Sequence, residues 1–106
     1  MKEFMLLIRG GEYPEKGTGE HAAHMQEWMD WMKKLTDDGN LKGGQPFTTE
    51  GKLVTADNVN DGVVEPSVGG YMHITADSVE HAVKISQGCP ALGVGGDVEV
   101  RECMMM

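Results

Sequence analysis

The sequence is short of cysteine, of basic residues and of long apolar runs. Its 106 residues include two cysteines, Cys89 and Cys103. Two thiols are too few for a disulfide framework, and these lack metal-ligand spacing. They are expected to stay reduced in an intracellular setting; a bridge would need the last strand to lie beside the Cys89 loop. Lysine and arginine number 9 against 17 acidic residues, a formal net charge of −8. That balance argues against nucleic acid as a partner, because phosphate neutralisation needs clustered cations. The longest apolar run, Phe4 to Ile8, is far too short to span a bilayer. Lys2-Glu3 followed by so short a run, with no small-residue cleavage site, does not make a signal peptide. The expectation is a cytoplasmic protein with no membrane contact. The glycine pairs Gly43-Gly44, Gly69-Gly70 and Gly95-Gly96 lack the strand–GxGxxG–helix context of a dinucleotide site. They read as turns and bulges, and no cofactor is expected.

A chain of this length buries one core, not two. A single domain is expected over residues 1–103, with Met104, Met105 and Met106 as a loosely packed tail. Other methionines are expected to fill irregular core space.

Phe4–Arg9 is apolar at nearly every position, the pattern of a strand buried on both faces. Glu12 to Gly19 reads as loop. A helix is expected from Thr18 or Gly19 to about Asp38, with Met25, Trp28, Met29, Met32 and Leu35 as its apolar stripe. Asp30 and Lys34 stand at i, i+4, and Gly39 suits the residue after the helix. Asp37 and Asp38 fall at the negative helix end, either solvated or with another task. Leu41–Phe47 reads as a short edge strand closed by Pro46. Leu53–Ala56 and Val63–Glu65 suggest an extra hairpin around residues 57–62. Gly69–Ala76 alternates: Met72, Ile74 and Ala76 on one side, Tyr71, His73 and Thr75 on the other. Asp77, with Glu80 three residues on, is the expected cap of a helix over Ser78–Gln87. Residues 91–96 read as loop, and Asp97–Glu102 alternates again.

This order predicts an α+β fold: ferredoxin-like βαββαβ with an antiparallel sheet and an extra hairpin after the second strand. Val98 and Val100 join Met72 and Ile74 on the helix-covered face. Tyr71, His73, Thr75, Glu99 and Arg101 share the other face with half of the first strand. An apolar centre with polar flanks fits burial against a second copy, a twofold homodimer.

The pieces KEFMLLIRGG, DDGNLKGGQPF, the Asp61-Gly62 of DGVVE, VGGYMHITADS, Cys89-Pro90 and GGDVEVRE together resemble the YCII-related family, in particular its DGPF-domain branch. They stand in that family's order and cover nearly the whole chain. Where the branch has Asp-Gly-Pro-Phe, this chain has Asp61-Gly62-Val63-Val64. The resemblance implies a dimeric α/β barrel, two such sheets packed face to face. Function in the family is largely unassigned. Some relatives of the broad group look like small-molecule enzymes, and DGPF relatives also occur joined to or near sigma-factor-like regulators.

Members of the YCII branch carry a His on the first helix and an acid just before its closing glycine. Asp37 matches the acid. By spacing back from Gly39, Trp28 occupies the position of the His, and His24 lies one turn earlier on the same side. His24 and Asp37 are separated by roughly 20 Å of helix, so they cannot touch within one helix. His73 is the third catalytic candidate, either a general base beside an acid or a hydrogen-bonded interface residue. Arg9, Trp28, Asp61, Tyr71 and Arg101 are the candidate ligand contacts. Glu3 and Glu99 line the same face, and the arginines would either fork onto an anionic ligand or bridge subunits. Asp61 either closes the turn at Gly62 or presents a carboxylate. His21 and His24 beside Glu20 make only half a metal site, so no metal is expected. The functional expectation is a small-molecule-binding homodimer with acid–base chemistry on a small polar or anionic substrate. The alternative is a non-catalytic binding or regulatory module, linked to transcription, acting through its dimer surface.

Overall fold

A computed structural model describes residues 1–65 and 67–106 of the chain. Among the described residues, six strands and two helices run in the order β1 (Lys2–Gly10), α1 (Gly19–Asp37), β2 (Leu41–Pro46), β3 (Lys52–Val54), β4 (Val59–Asp61), β5 (Val68–Ala76), α2 (Val79–Ser86) and β6 (Gly96–Glu102). A 3-10 turn, Pro90–Val94, occupies the stretch read from sequence as loop. The fold is α+β. Four strands form an antiparallel sheet in the order β2-β5-β1-β6, and β3 and β4 form a separate two-stranded sheet.

The two long strands lie side by side at the centre. Phe4, Leu6 and Ile8 of β1 and Met72, Ile74 and Ala76 of β5 are buried together with Trp31, Leu35 and Ala82 from the helices. Val98 and Val100 pack against this cluster from β6. Phe4, Leu6 and Ile74 have no exposed surface; such burial is worth about 1.5–3 kcal/mol per side chain. The opposite residues, Glu3, Met5, Leu7 and Arg9 of β1 and Tyr71, His73 and Thr75 of β5, are half-buried. Within one chain, then, β1 is fully buried on one face and half-buried on the other.

Helix α1 is rotated from the expected stripe. His24, Trp31 and Leu35 are buried, Trp28 and Met32 are half-buried, and Met25 and Met29 are exposed at 39% and 59%. Turning inward on Trp31 removes a larger apolar body from water than Met29 offers. The acids at the helix end are paired with lysines one turn earlier: Lys33 donates to Asp37 at 2.7 Å and Lys34 to Asp38 at 3.0 Å. Asp30 instead accepts from Gln26 at 2.8 Å. Gly39, at φ +78°, closes the helix. The buried Asn40 then ties the helix end to β5, its Nδ2 donating to the Thr75 carbonyl at 2.8 Å.

Two further expectations are corrected. The cap of α2 is Ser78, whose Oγ accepts from the His81 N–H at 3.1 Å. The Asp77 N–H donates to His81 Nδ1 at 3.0 Å, so His81 supplies the return bond expected of Glu80. The extra hairpin pairs Lys52–Val54 with Val59–Asp61, not with Val63–Glu65. Its turn is closed by the Thr55 N–H donating to the Asn58 carbonyl and by the Asn58 N–H donating to Thr55 Oγ1. Gly44 lets β2 approach β5, because a Cβ there would fall 2.6 Å from Met72 Sδ and from the Tyr71 carbonyl. Cys89 is buried and Cys103 half-buried, both free thiols. Among the described residues, no helix is long and apolar enough to cross a membrane.

The cap assignment is testable. Ser78→Ala is expected to destabilise the fold by about 1 kcal/mol. Asp77→Ala, which keeps its N–H, is expected to change it by less than about 0.5 kcal/mol. Urea unfolding of both variants measures the difference.

Candidate functional site

The sheet face without helices collects most of the expected contacts. Period-two alternation sends Glu3, Met5, Leu7 and Arg9 to this face from β1, and Tyr71, His73 and Thr75 from β5. The register sets Glu3 opposite Thr75 and Met5 opposite His73. His73 is therefore diagonal to Glu3, and its Nε2 lies 2.7 Å from Glu3 Oε1. The side chains are 29% and 35% exposed, respectively. Lys42 Nζ stands 4.0 Å from the same carboxylate oxygen.

A neutral His73 with its proton on Nε2 donates to Glu3 and keeps the Nδ1 lone pair as an acceptor. The carboxylate orients the ring and stabilises it once protonated. This arrangement can accept a proton at one nitrogen while the charge is held at the other.

The arginines on this face are already engaged. Arg9 Nε donates to Asp97 Oδ1 at 3.0 Å, and its Nη1 lies 3.8 Å from Glu99 Oε1. Arg101 Nη1 donates to Glu99 Oε2 at 3.2 Å. Glu99 thus sits between two guanidinium groups, and the cluster is close to neutral. Tyr71 stands opposite Leu7 and packs against Phe47, with ring centroids 5.8 Å apart.

The other candidates lie elsewhere. His24 is buried on the helix side, where its Nε2 accepts from Trp28 Nε1 at 3.0 Å. Tyr13 meets its ring edge-on at 5.3 Å, and Trp28 meets Trp31 likewise at 5.6 Å. Glu27 Oε2 is 3.7 Å from His24 Nδ1. His24 is thus part of an aromatic core cluster, while Asp37 is exposed and held by Lys33; the two are not brought together. Asp61 is exposed at the end of β4 and ion-pairs with Lys52 rather than closing the turn; Gly62 takes the positive φ of +92° itself. Asp61 also lines a shallow cavity of about 450 Å³ with Glu50, Gly51 and Lys52. Among the described residues, no three histidine, cysteine or carboxylate side chains gather as a metal site.

Two groups near the aromatic cluster have altered acidity. Burial pushes the Cys89 thiol up, with a hydrogen bond involving the Ala91 backbone partly opposing it. Burial also raises the Tyr13 phenol, helped by the Cys89 charge. Sequence reasoning missed Tyr13, Trp31 and Lys42 as members of these clusters. Trp31 is apolar and on the helix, but a stripe through Met32 fits the same periodicity. Lys42 reaches Glu3 from a strand whose register shifts between Leu41 and Gly43, and alternation alone gives no signal for that.

No family model matches the chain, and no curated protein matches it.

Both clusters have measurable consequences. Trp28→Phe removes the donor to His24 and is expected to lower stability by about 1–3 kcal/mol. Asp37→Asn, losing one exposed ion pair, is expected to lower it by less than about 1 kcal/mol. Calorimetry of both variants gives the comparison. Cys89 also links stability to alkaline pH. Its contribution is whole below the unfolded thiol value of about 8.5 and is lost as pH rises through the higher folded value. The melting temperature is therefore expected to fall above about pH 8.5, with a shallower fall in Cys89→Ala.

Proposed function

We propose that the chain is a YCII-related protein of the DGPF-domain branch and works as a homodimeric α/β barrel. In it, two helix-free faces pack together around a small polar or anionic ligand. The observation that carries this reading is the Glu3–His73 pair, 2.7 Å apart on that face beside the apolar Met5 and Leu7. The strand order β2-β5-β1-β6, with both helices packed on one face, supports a ferredoxin-like assignment. An apolar centre framed by charges that neutralise one another suits burial beneath a second copy.

Covering the face strengthens the carboxylate–imidazole interaction, because less water screens it. His73 then takes a proton from the bound molecule at Nδ1, and Glu3 holds the imidazolium that results. Lys42 adds a cation for an anionic substrate. A non-catalytic binding or regulatory module is the second reading. It is favoured by the two cavities at β3–β4, neither of which is lined by a histidine.

Ligand-observed NMR with a panel of small carboxylates, amides and alcohols tests the first reading. At least one compound is expected to bind the wild type. Its affinity is expected to fall about tenfold or more in His73→Ala and in Glu3→Gln, the loss of a charge-assisted hydrogen bond, with circular dichroism unchanged. Equal binding by both variants would rule out the acid–base role.

A further inference from the structure

Strand β2 carries two consecutive glycines, and packing accounts for only one of them. Gly44 faces Met72, whose Sδ a Cβ would meet at 2.6 Å. At Gly43 an added Cβ would meet no atom within 4 Å. Glycine inside a strand marks a bulge or a close approach by a ligand or another backbone. A bulge does stand here: the register shifts between Leu41 and Gly43, which makes Lys42 the extra residue. Such a bulge calls for glycine only where φ is positive, and the φ of Gly43 is not. Close approach is the reason left.

The gap opens beside the imidazole already described. Gly43 stands opposite His73, so its missing side chain would lie on the helix-free face next to that ring. Met5 stands opposite His73 on β1, and Tyr71 and Thr75 lie two residues away along β5. All three are half-buried. Gly43 thus leaves the β2 flank of the ring without a side chain, and His73 stays 29% exposed. Along β2 the gap is bordered by Lys42 and by the exposed Gln45, which stands opposite Tyr71.

Lys42 supplies a charge for this gap. Its Nζ is 4.0 Å from Glu3 Oε1, the oxygen that His73 Nε2 meets at 2.7 Å. That separation is beyond a hydrogen bond, and the lysine side chain is 48% exposed. It can turn to a ligand without giving up a bond. Arg9 and Arg101, by contrast, are held by Asp97 and Glu99. One cation free to turn, beside the Glu3 carboxylate, suits a single negative charge. A dianion such as phosphate would be repelled by Glu3. The breadth of one missing side chain limits the ligand to a small molecule.

We propose that the gap at Gly43 seats a small monocarboxylate, its anionic group against Lys42 and the rest of the molecule beside His73. This makes Gly43 the residue that admits the ligand and Lys42 the residue that selects its charge. The proposal rests on the His73 reading above and names its substrate class, and the two can fail separately.

The test is ligand-observed NMR with acetate, propionate, lactate and pyruvate, each beside its neutral amide. The wild type is expected to bind at least one carboxylate about tenfold or more tighter than its amide. Lys42→Gln is expected to remove that preference. Gly43→Val, which the backbone and the open space tolerate, is expected to weaken the carboxylate about tenfold or more. Its circular dichroism and sedimentation are expected to match the wild type. A wild type that binds none of the four, or binds amides equally, would overturn the proposal. Unchanged affinity in Gly43→Val would overturn it too, and a loss in His73→Ala beside that result would leave the His73 role standing. A loss in Gly43→Val with full binding by His73→Ala would support the gap and remove the acid–base role. A Gly43→Val protein that dissociates where the wild type stays dimeric would assign the space to the second copy and overturn the proposal.

Discussion

The register between β1 and β5 is the constraint on which the rest of this molecule depends. It sets Phe4 opposite Ile74 and Leu6 opposite Met72, which builds the core on one face. The same register sets Met5 opposite His73, which puts Glu3 diagonal to the imidazole on the other face. A slip of one residue would turn Phe4, Leu6 and Ile8 to the uncovered side and carry Glu3 into the core. The core therefore fixes the geometry of the polar pair, and no separate device is needed to align it. Asn40 reinforces this arrangement from the β2 side: its backbone carbonyl accepts from the Thr75 N–H at 2.7 Å and its side chain donates to the Thr75 carbonyl.

The two faces solve different physical problems. The helix-covered face is largely apolar, and His24, the one buried imidazole among the described residues, is accommodated by a hydrogen bond from Trp28. The uncovered face has an apolar middle in Met5, Leu7 and Tyr71 and a charged frame. Arg9, Asp97, Glu99 and Arg101 neutralise one another within that frame, which lowers the penalty for covering it. A chain of net charge −8 resists self-association in general, and local neutrality makes that resistance weaker at this face than elsewhere.

How much of this was legible beforehand varied with the kind of signal. Strict alternation in β5 and β6 identified both strands, their inward residues and the presence of His73 on the outer face, because a period of two leaves little choice. Helix α1 was legible as a helix but not in its rotation. The series 25, 28, 29, 32, 35 and the series 24, 28, 31, 35 both fit a helical stripe, and the size of Trp31 decides between them only once the sheet is present. The cap of α2 is ambiguous in the sequence because Asp77 and Ser78 are both good caps, and the choice turns on His81, whose ring bonds back to the Asp77 N–H. The second strand of the β3–β4 hairpin is hidden in the sequence because Val59–Asp61 has no apolar alternation of its own. The Glu3–His73 contact spans 70 positions, and only the register reveals it.

The central claim, that the helix-free face is covered by a second copy of the chain, is tested most directly by sedimentation equilibrium of the wild-type protein beside Leu7→Arg. Two packed faces predict a mass of twice 11.5 kDa for the wild type at micromolar concentration. The variant, with a charge in the middle of the face, is expected to sediment at the single-chain mass with its circular dichroism intact. A wild type that sediments at 11.5 kDa throughout that range, or a variant that stays dimeric, would contradict it.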